Sequence, residues 1–209
     1  MSIEAWLAFV AASAVLLLIP GPTILTVISY SVAHGRKANV PLVAAVALGD
    51  STALVLSLLG LGALLAVSAF WFTVIKLVGG GYLVWLGVKL LRAGVVAATD
   101  VPAAAPAGSR WRLFANTYLV TALNPKGMIF FVAFLPQFID PHANVTAQLW
   151  ILSITFVVLA TLNATLYAVF AASARRVLTN PRAQRRFNLA GGSLLTGAGI
   201  WALLARGPA

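Results

Sequence analysis

Charge is what this chain has least of: 209 residues contain four acids, Glu4, Asp50, Asp100 and Asp140, and only 9% charged residues. Soluble domains carry about 25%, because they must present a wetted surface. With 61% hydrophobic residues and a mean hydropathy of +0.99, the chain cannot use water as its main solvent. Cysteine is absent, which excludes disulfides, thiolate metal ligands and thiol chemistry. The two histidines, His34 and His142, fall in expected loops with no acidic or histidine neighbour at ligand spacing, so no metal site is expected. There is no serine, histidine and aspartate order, no phosphate-cradling glycine loop and no acidic pair, so enzymatic catalysis is not expected.

What is present is a net charge of +10, carried by 14 lysines and arginines. They sit in short clusters between long apolar runs rather than along one face, which argues against nucleic acid as a partner and for a bilayer. A helix needs about 20 mostly apolar residues to cross the hydrocarbon core, and lipid leaves no other way to satisfy an unpaired backbone within a single segment. Runs of that kind lie at roughly 6–30, 39–65, 69–91, Leu113–Pro136, Ala147–Ser173 and Phe187–Ala205. The first has no basic residue before it and is longer than a secretory core, so it is expected to be a retained first span.

The fold expected is therefore all-α and integral to the membrane, with six transmembrane helices in one domain over 1–209. It divides into a first half, 1–93, a Pro-, Gly- and Ala-rich cytoplasmic loop, 94–112, and a second half, 113–209. Positive loops stay in the cytoplasm. Arg36 and Lys37, the group Lys89, Arg92, Arg110 and Arg112, and the group Arg175, Arg176, Arg182, Arg185 and Arg186 all fall in alternate connections. Both termini are then expected outside.

The halves resemble each other in order. Leu77, Gly79, Gly80, Leu83 and Gly87 recur 112 residues later as Leu189, Gly191, Gly192, Leu195 and Gly199. Pro20 in Ile-Pro-Gly-Pro matches Pro125 in Asn-Pro-Lys-Gly, and Asp50 falls opposite Asn163. Each half has an odd number of spans, so the second copy is expected upside down relative to the first. Inverted repeats with helices broken at matching places, and a substrate site near the midplane, are a recurring plan of secondary transporters.

The candidate residues follow from that plan. Asp50 stands about mid-span, where an ionised carboxylate is costly unless it is paired, so it is expected to bind a substrate ammonium or carry a proton. Lys126, at the start of a half-helix in Asn124-Pro125-Lys126-Gly127, suits a substrate carboxylate; a lysine snorkelling at the cytoplasmic edge fits the same position. Pro20, Gly21, Pro22 and Thr23 make the matching break in the first span. Pro20, Pro22, Pro125 and Gly127 are expected to act in gating, while Asn124, Asn163 and Thr165 add polar lining. Lys76 is a charge partner for Asp50 or a snorkelling lysine. The glycine-rich faces permit a homodimer.

Taken in this order and spacing, Pro20-Gly21-Pro22, Gly49-Asp50, Lys76 through Gly79–Leu83 and Gly87, and Asn124-Pro125-Lys126-Gly127 leading to Leu135-Pro136-Gln137-Phe138 resemble the lysine exporter (LysE) superfamily. The homoserine/threonine-resistance (RhtB-type) branch is the nearest. The resemblance implies export of small amino acids of the threonine, homoserine, lysine or branched-chain class across the bacterial inner membrane in exchange for protons, without a cofactor. It also implies that Asp50 and Lys126 are the charged residues of the site. A cation exporter of the same superfamily and a passive, channel-like facilitator are the rival readings.

Overall fold

The computed structural model describes residues 1–67, 69–93, 109–140, 142–178 and 180–204, and most of the expected 94–112 loop lies outside them. The described residues hold nine α-helices and no strand. These are α1 (Ile3–Leu18), α2 (Pro22–His34), α3 (Asn39–Val67), α4 (Ala69–Arg92), α5 (Arg110–Ala122), α6 (Pro125–Ala133), α7 (Val145–Val169), α8 (Ala171–Leu178) and α9 (Pro181–Leu204). Short 3-10 turns at Gly35–Ala38 and Leu135–Phe138 follow α2 and α6. Two helical stretches, Pro22–Gly60 and Val145–Val169, are by themselves long and apolar enough to cross a bilayer, and α5 with the Pro125–Phe138 segment qualifies as a pair bent by 42°.

Local chemistry explains where the helices stop. Pro22 and Pro125 each occupy the first turn of a helix, where a missing N–H costs nothing, and each ends the ladder arriving from the N-terminal side. Asn124 caps α6 with its side chain, accepting from Lys126 N at 3.1 Å. Asn180 does the same for α9, accepting from Arg182 N at 2.9 Å. The basic stretch 175–186 is consequently not the open connection that its charge implies: Arg175 and Arg176 lie in α8, and α9 already begins at Pro181 rather than at Phe187. His34 likewise closes α2 instead of lying in a loop, its Nδ1 3.2 Å from Tyr30 O.

The core is aromatic on one side of the molecule. Phe131 meets Phe156 edge-on at 4.7 Å and Phe9 meets Phe138 at 5.3 Å, which locks α6 and the turn after it against α1 and α7. Away from the core, α7 presents Trp150, Ile154, Val158, Leu162 and Leu166 outward at four-residue spacing, an uninterrupted apolar stripe suited to acyl chains. The amino terminus approaches Asp140 at 4.0 Å, placing it beside the 139–144 connection.

The closest seam is between α4 and α9, and it is built from the repeated glycines. A methyl group on Gly87 would lie 2.7 Å from Gly192 O and 2.6 Å from Thr196 N; one on Gly199 would lie 2.8 Å from Gly80 O and 2.7 Å from Val84 N. A methyl on Gly80 would strike Leu203 Cγ at 2.8 Å, and one on Gly192 would strike Leu91 Cγ at 2.6 Å. Adding 112 to the α4 member and subtracting 112 from the α9 member of any of these contacts gives another of them. The two helices therefore pack antiparallel about a local two-fold near Leu83 and Leu195, both buried.

Candidate functional site

Two prolines shape the site by what they withhold. In an unbroken helix the N–H groups of residues 20 to 23 would bond the carbonyls of Leu16, Leu17, Leu18 and Ile19. Pro20 and Pro22 have no N–H, and the chain between them is extended, with Gly21 at φ −107° and ψ −172°. The last carbonyls of α1 are thus left without backbone donors in an apolar surrounding, where each would cost several kcal/mol.

Three side chains from other helices supply the donors. Lys126 Nζ donates to Leu16 O and to Ile19 O, both at 2.7 Å. Asn163 Nδ2 donates to Leu17 O at 3.1 Å, and Tyr167 Oη donates to Leu18 O at 2.9 Å. The negative end of the α1 dipole thus receives the Lys126 amino group, at a place where the dipole favours a cation. Tyr167 was not among the residues singled out from sequence. Its spacing of four from Asn163, which puts both on one face of α7, is the signal that marks it.

These contacts close one wall of a cavity of about 50 Å³. Among its lining residues are Gly21, Thr23, Asp50, Asn124, Lys126 and Asn163, with Phe156 and Ala160 as apolar wall. Volume of this order admits water and is far below the roughly 300–1,000 Å³ of ordinary ligand pockets, so the site as it stands has no room for an amino acid. A larger groove of about 430 Å³ between α1, α6 and α9 is lined by apolar residues such as Ala12, Val15 and Phe134, with no charged residue among the described residues of its lining.

Asp50 lies on α3 at 9% exposure, and among the described residues its carboxylate has neither a hydrogen-bond donor nor a cation partner. The side chain of Lys76 lies outside the described residues. Gly49, next to Asp50, brings α3 against α5 so closely that a methyl on it would sit 2.6 Å from Thr121 Cβ. Across the cavity Asn124 Nδ2 donates to Thr23 Oγ1 at 3.2 Å, joining the first turn of α6 to that of α2. Gly21 offers α2 no side-chain cap, and the first-turn N–H groups of Thr23 and Ile24 have no acceptor among the described residues. The positive end of α2 is therefore open toward the cavity, while that of α6 is closed by Asn124.

The sequence candidates divide accordingly. Asp50, Lys126, Asn124, Gly21, Thr23, Asn163 and Gly127 line the cavity together, whereas Pro20, Pro22 and Pro125 are absent from its lining, with Pro22 and Pro125 exposed. Thr165 faces outward and bonds its own helix at Thr161 O. Replacing Tyr167 by Phe removes one of the four carbonyl contacts and is expected to lower the thermal midpoint of the purified protein by a loss of about 0.5–1.5 kcal/mol.

A family model described as LysE type translocator matches residues 14–206. The homoserine/homoserine lactone efflux protein of Salmonella typhimurium is 35% identical over 93% of this chain and 93% of its own. An uncharacterized membrane protein of Vibrio cholerae is 34% identical over 96% of this chain and 97% of its own, and the leucine efflux protein of Klebsiella pneumoniae is 30% identical over 74% and 73%. No solved structure matches.

Proposed function

The chain belongs to the LysE-type translocator family, a family of membrane transporters and not of enzymes, and from that premise we propose that it exports small amino acids from the bacterial cytoplasm across the inner membrane. The observation that carries this reading is the small cavity with polar lining in an otherwise apolar helical body, bearing the Asp50 carboxylate, unpartnered among the described residues, and the amino group of Lys126. Relatives at 30–35% identity are named for efflux of homoserine, homoserine lactone and leucine. What those three compounds share is an amino group on a small carbon frame; the lactone has no free carboxylate.

The proposed architecture is six spans in two inverted triplets, with both termini outside. In this reading α1 with α2, and α5 with α6, are each one span interrupted at Pro20-Gly21-Pro22 and at Asn124-Pro125. Support comes from the α4–α9 seam, whose contacts interchange under the 112-residue shift, and from the approach of the amino terminus to Asp140. The cavity's size supports alternating access, since about 50 Å³ has no room for an amino acid until the surrounding helices move apart. Asp50, Lys126, Asn124, Gly21, Thr23 and Asn163 contact the substrate, with Pro20, Pro22, Pro125 and Gly127 setting the breaks that flex. Asp50 is the proton carrier: a buried carboxylate with no cation beside it among the described residues is stable there when it binds a proton or a positive ligand. A homodimer would use glycines outside the α4–α9 seam, such as Gly81 and Gly197, where an added methyl would meet nothing of the described chain within 4 Å.

Proteoliposomes loaded with radiolabelled leucine or homoserine test the proposal. Efflux should accelerate with an inward proton gradient and collapse when the gradient is dissipated. Flux indifferent to the gradient would mean a passive facilitator, and no flux of any small amino acid would overturn the reading.

A further inference from the structure

Resting on the export reading, the geometry points to a primary-ammonium subsite at the C-terminal end of α1, which Lys126 occupies in the closed arrangement and which the substrate's amino group takes over. The subsite is composed of main-chain carbonyls exposed by the two prolines, and two of them, Leu16 O and Ile19 O, hold an ammonium nitrogen at 2.7 Å. An alkylammonium is therefore already recognised here; the one now bound is tethered to α6. Leu17 O and Leu18 O are kept in place by Asn163 and Tyr167, so the cradle stays formed when the lysine leaves. The stem of Lys126 rests along Gly21, whose missing side chain leaves the break open beside it: a methyl there would be 3.6 Å from Lys126 Cδ.

The charges of the cavity call for such an exchange. Two acceptors face it, the Asp50 carboxylate and the end of the α1 dipole, and among the described residues the one amino group there, that of Lys126, serves the dipole end alone. An entering amino acid brings the second. When its amino group binds the α1 carbonyls, the released lysine ammonium is free to meet the substrate's carboxylate or ester carbonyl, and the open N–H groups of Thr23 and Ile24 stand on the same cavity. Lys126 is on this account a tethered competitor for the substrate amine, and its departure is what enlarges a cavity of about 50 Å³.

The probe is n-butylamine, which has the ammonium and no carboxylate, with butanoate as its converse. In wild-type proteoliposomes assayed for amino-acid exchange in strongly buffered solution at equal pH on both sides, where a permeant weak base or acid has no gradient to disturb, n-butylamine should inhibit the flux and butanoate at the same concentration should not. In the purified full chain, Lys126→Met removes the competitor, so n-butylamine should bind about tenfold more tightly than to wild type, read as a lower Kd and a larger ligand-induced rise in thermal midpoint. A lysine that merely caps α1 predicts no such gain. The inference is overturned if butanoate inhibits as well as n-butylamine does, if neither inhibits, or if folded Lys126→Met binds the amine no more tightly than wild type. Should that variant not fold, the wild-type competition decides. Amino-acid efflux that is indifferent to n-butylamine would sink this inference alone, whereas absent efflux would sink the export reading beneath it.

Discussion

Asp50→Asn is expected to lower proton-driven amino-acid efflux by about 100-fold while leaving the thermal midpoint of the protein unchanged or higher. The two halves of that expectation have one cause. The Asp50 carboxylate is buried on α3 without a donor or a cation among the described residues. Asparagine has the same shape, cannot take up or release a proton, and no longer carries a charge that the apolar wall of Phe156 and Ala160 penalises. The interaction lost is the one Asp50 makes during transport, with the proton or positive ligand it takes up, and a buried charge interaction of about 3 kcal/mol is about two decades in rate or affinity. A residue retained only to join helices would behave oppositely, since its loss would lower stability first. Lys126→Gln is the companion variant: it takes the full charge from Leu16 O and Ile19 O, and both flux and stability should fall. If Asp50→Asn and Lys126→Gln both keep wild-type, proton-dependent flux, the assignment of this site is wrong.

Much of the site was legible because membranes make polar residues conspicuous. Asp50 needed no structure to be noticed, as the one acid between Ala38 and Ile75. Pro20, Pro22 and Pro125 announced interruptions because proline cannot continue a hydrogen-bond ladder. What the pattern could not give was the partner of each freed group. Position in the first turn of a half-helix pointed Lys126 at an anion, yet its stem is long enough to reach past its own helix to the carbonyl end of α1, a destination that depends on how α6 lies against α1. Tyr167 escaped notice for the same reason: an aromatic in an apolar span looks like packing until the carbonyl of Leu18 is found 2.9 Å from its hydroxyl. Charge also misled on the helix boundary near Arg182, where the Asn180 cap and Pro181 start α9 within a run of arginines.

Alanine at Gly87 or at Gly199 is expected to destabilise the protein by about 1–3 kcal/mol or more, and the two costs should be alike. Each added methyl would fall within 2.8 Å of backbone atoms on the facing helix: Thr196 N and Gly192 O for Gly87, Val84 N and Gly80 O for Gly199. Backbone cannot rotate aside as a side chain can, so α4 and α9 must separate along the whole seam. In lipid that separation is serious, because apolar surface gains little by leaving a bilayer and helix association rests on close packing. Gly81 and Gly197 supply the controls, being on the same helices with nothing within 4 Å of an added methyl. Alanine there should be neutral, or stabilising by up to about 1 kcal/mol through helix propensity. Thermal midpoints of the four variants in detergent discriminate the cases: equal effects at all four would mean that the glycines matter only through propensity, and unequal effects at Gly87 and Gly199 would mean that the seam is not two-fold. The seam shares Leu83 and Leu195 with the aromatic core but supplies none of the charged groups described in the cavity lining. Loosening it should therefore lower the amount of folded transporter at a given temperature while the folded fraction keeps its response to the proton gradient, the reverse of what Asp50→Asn does.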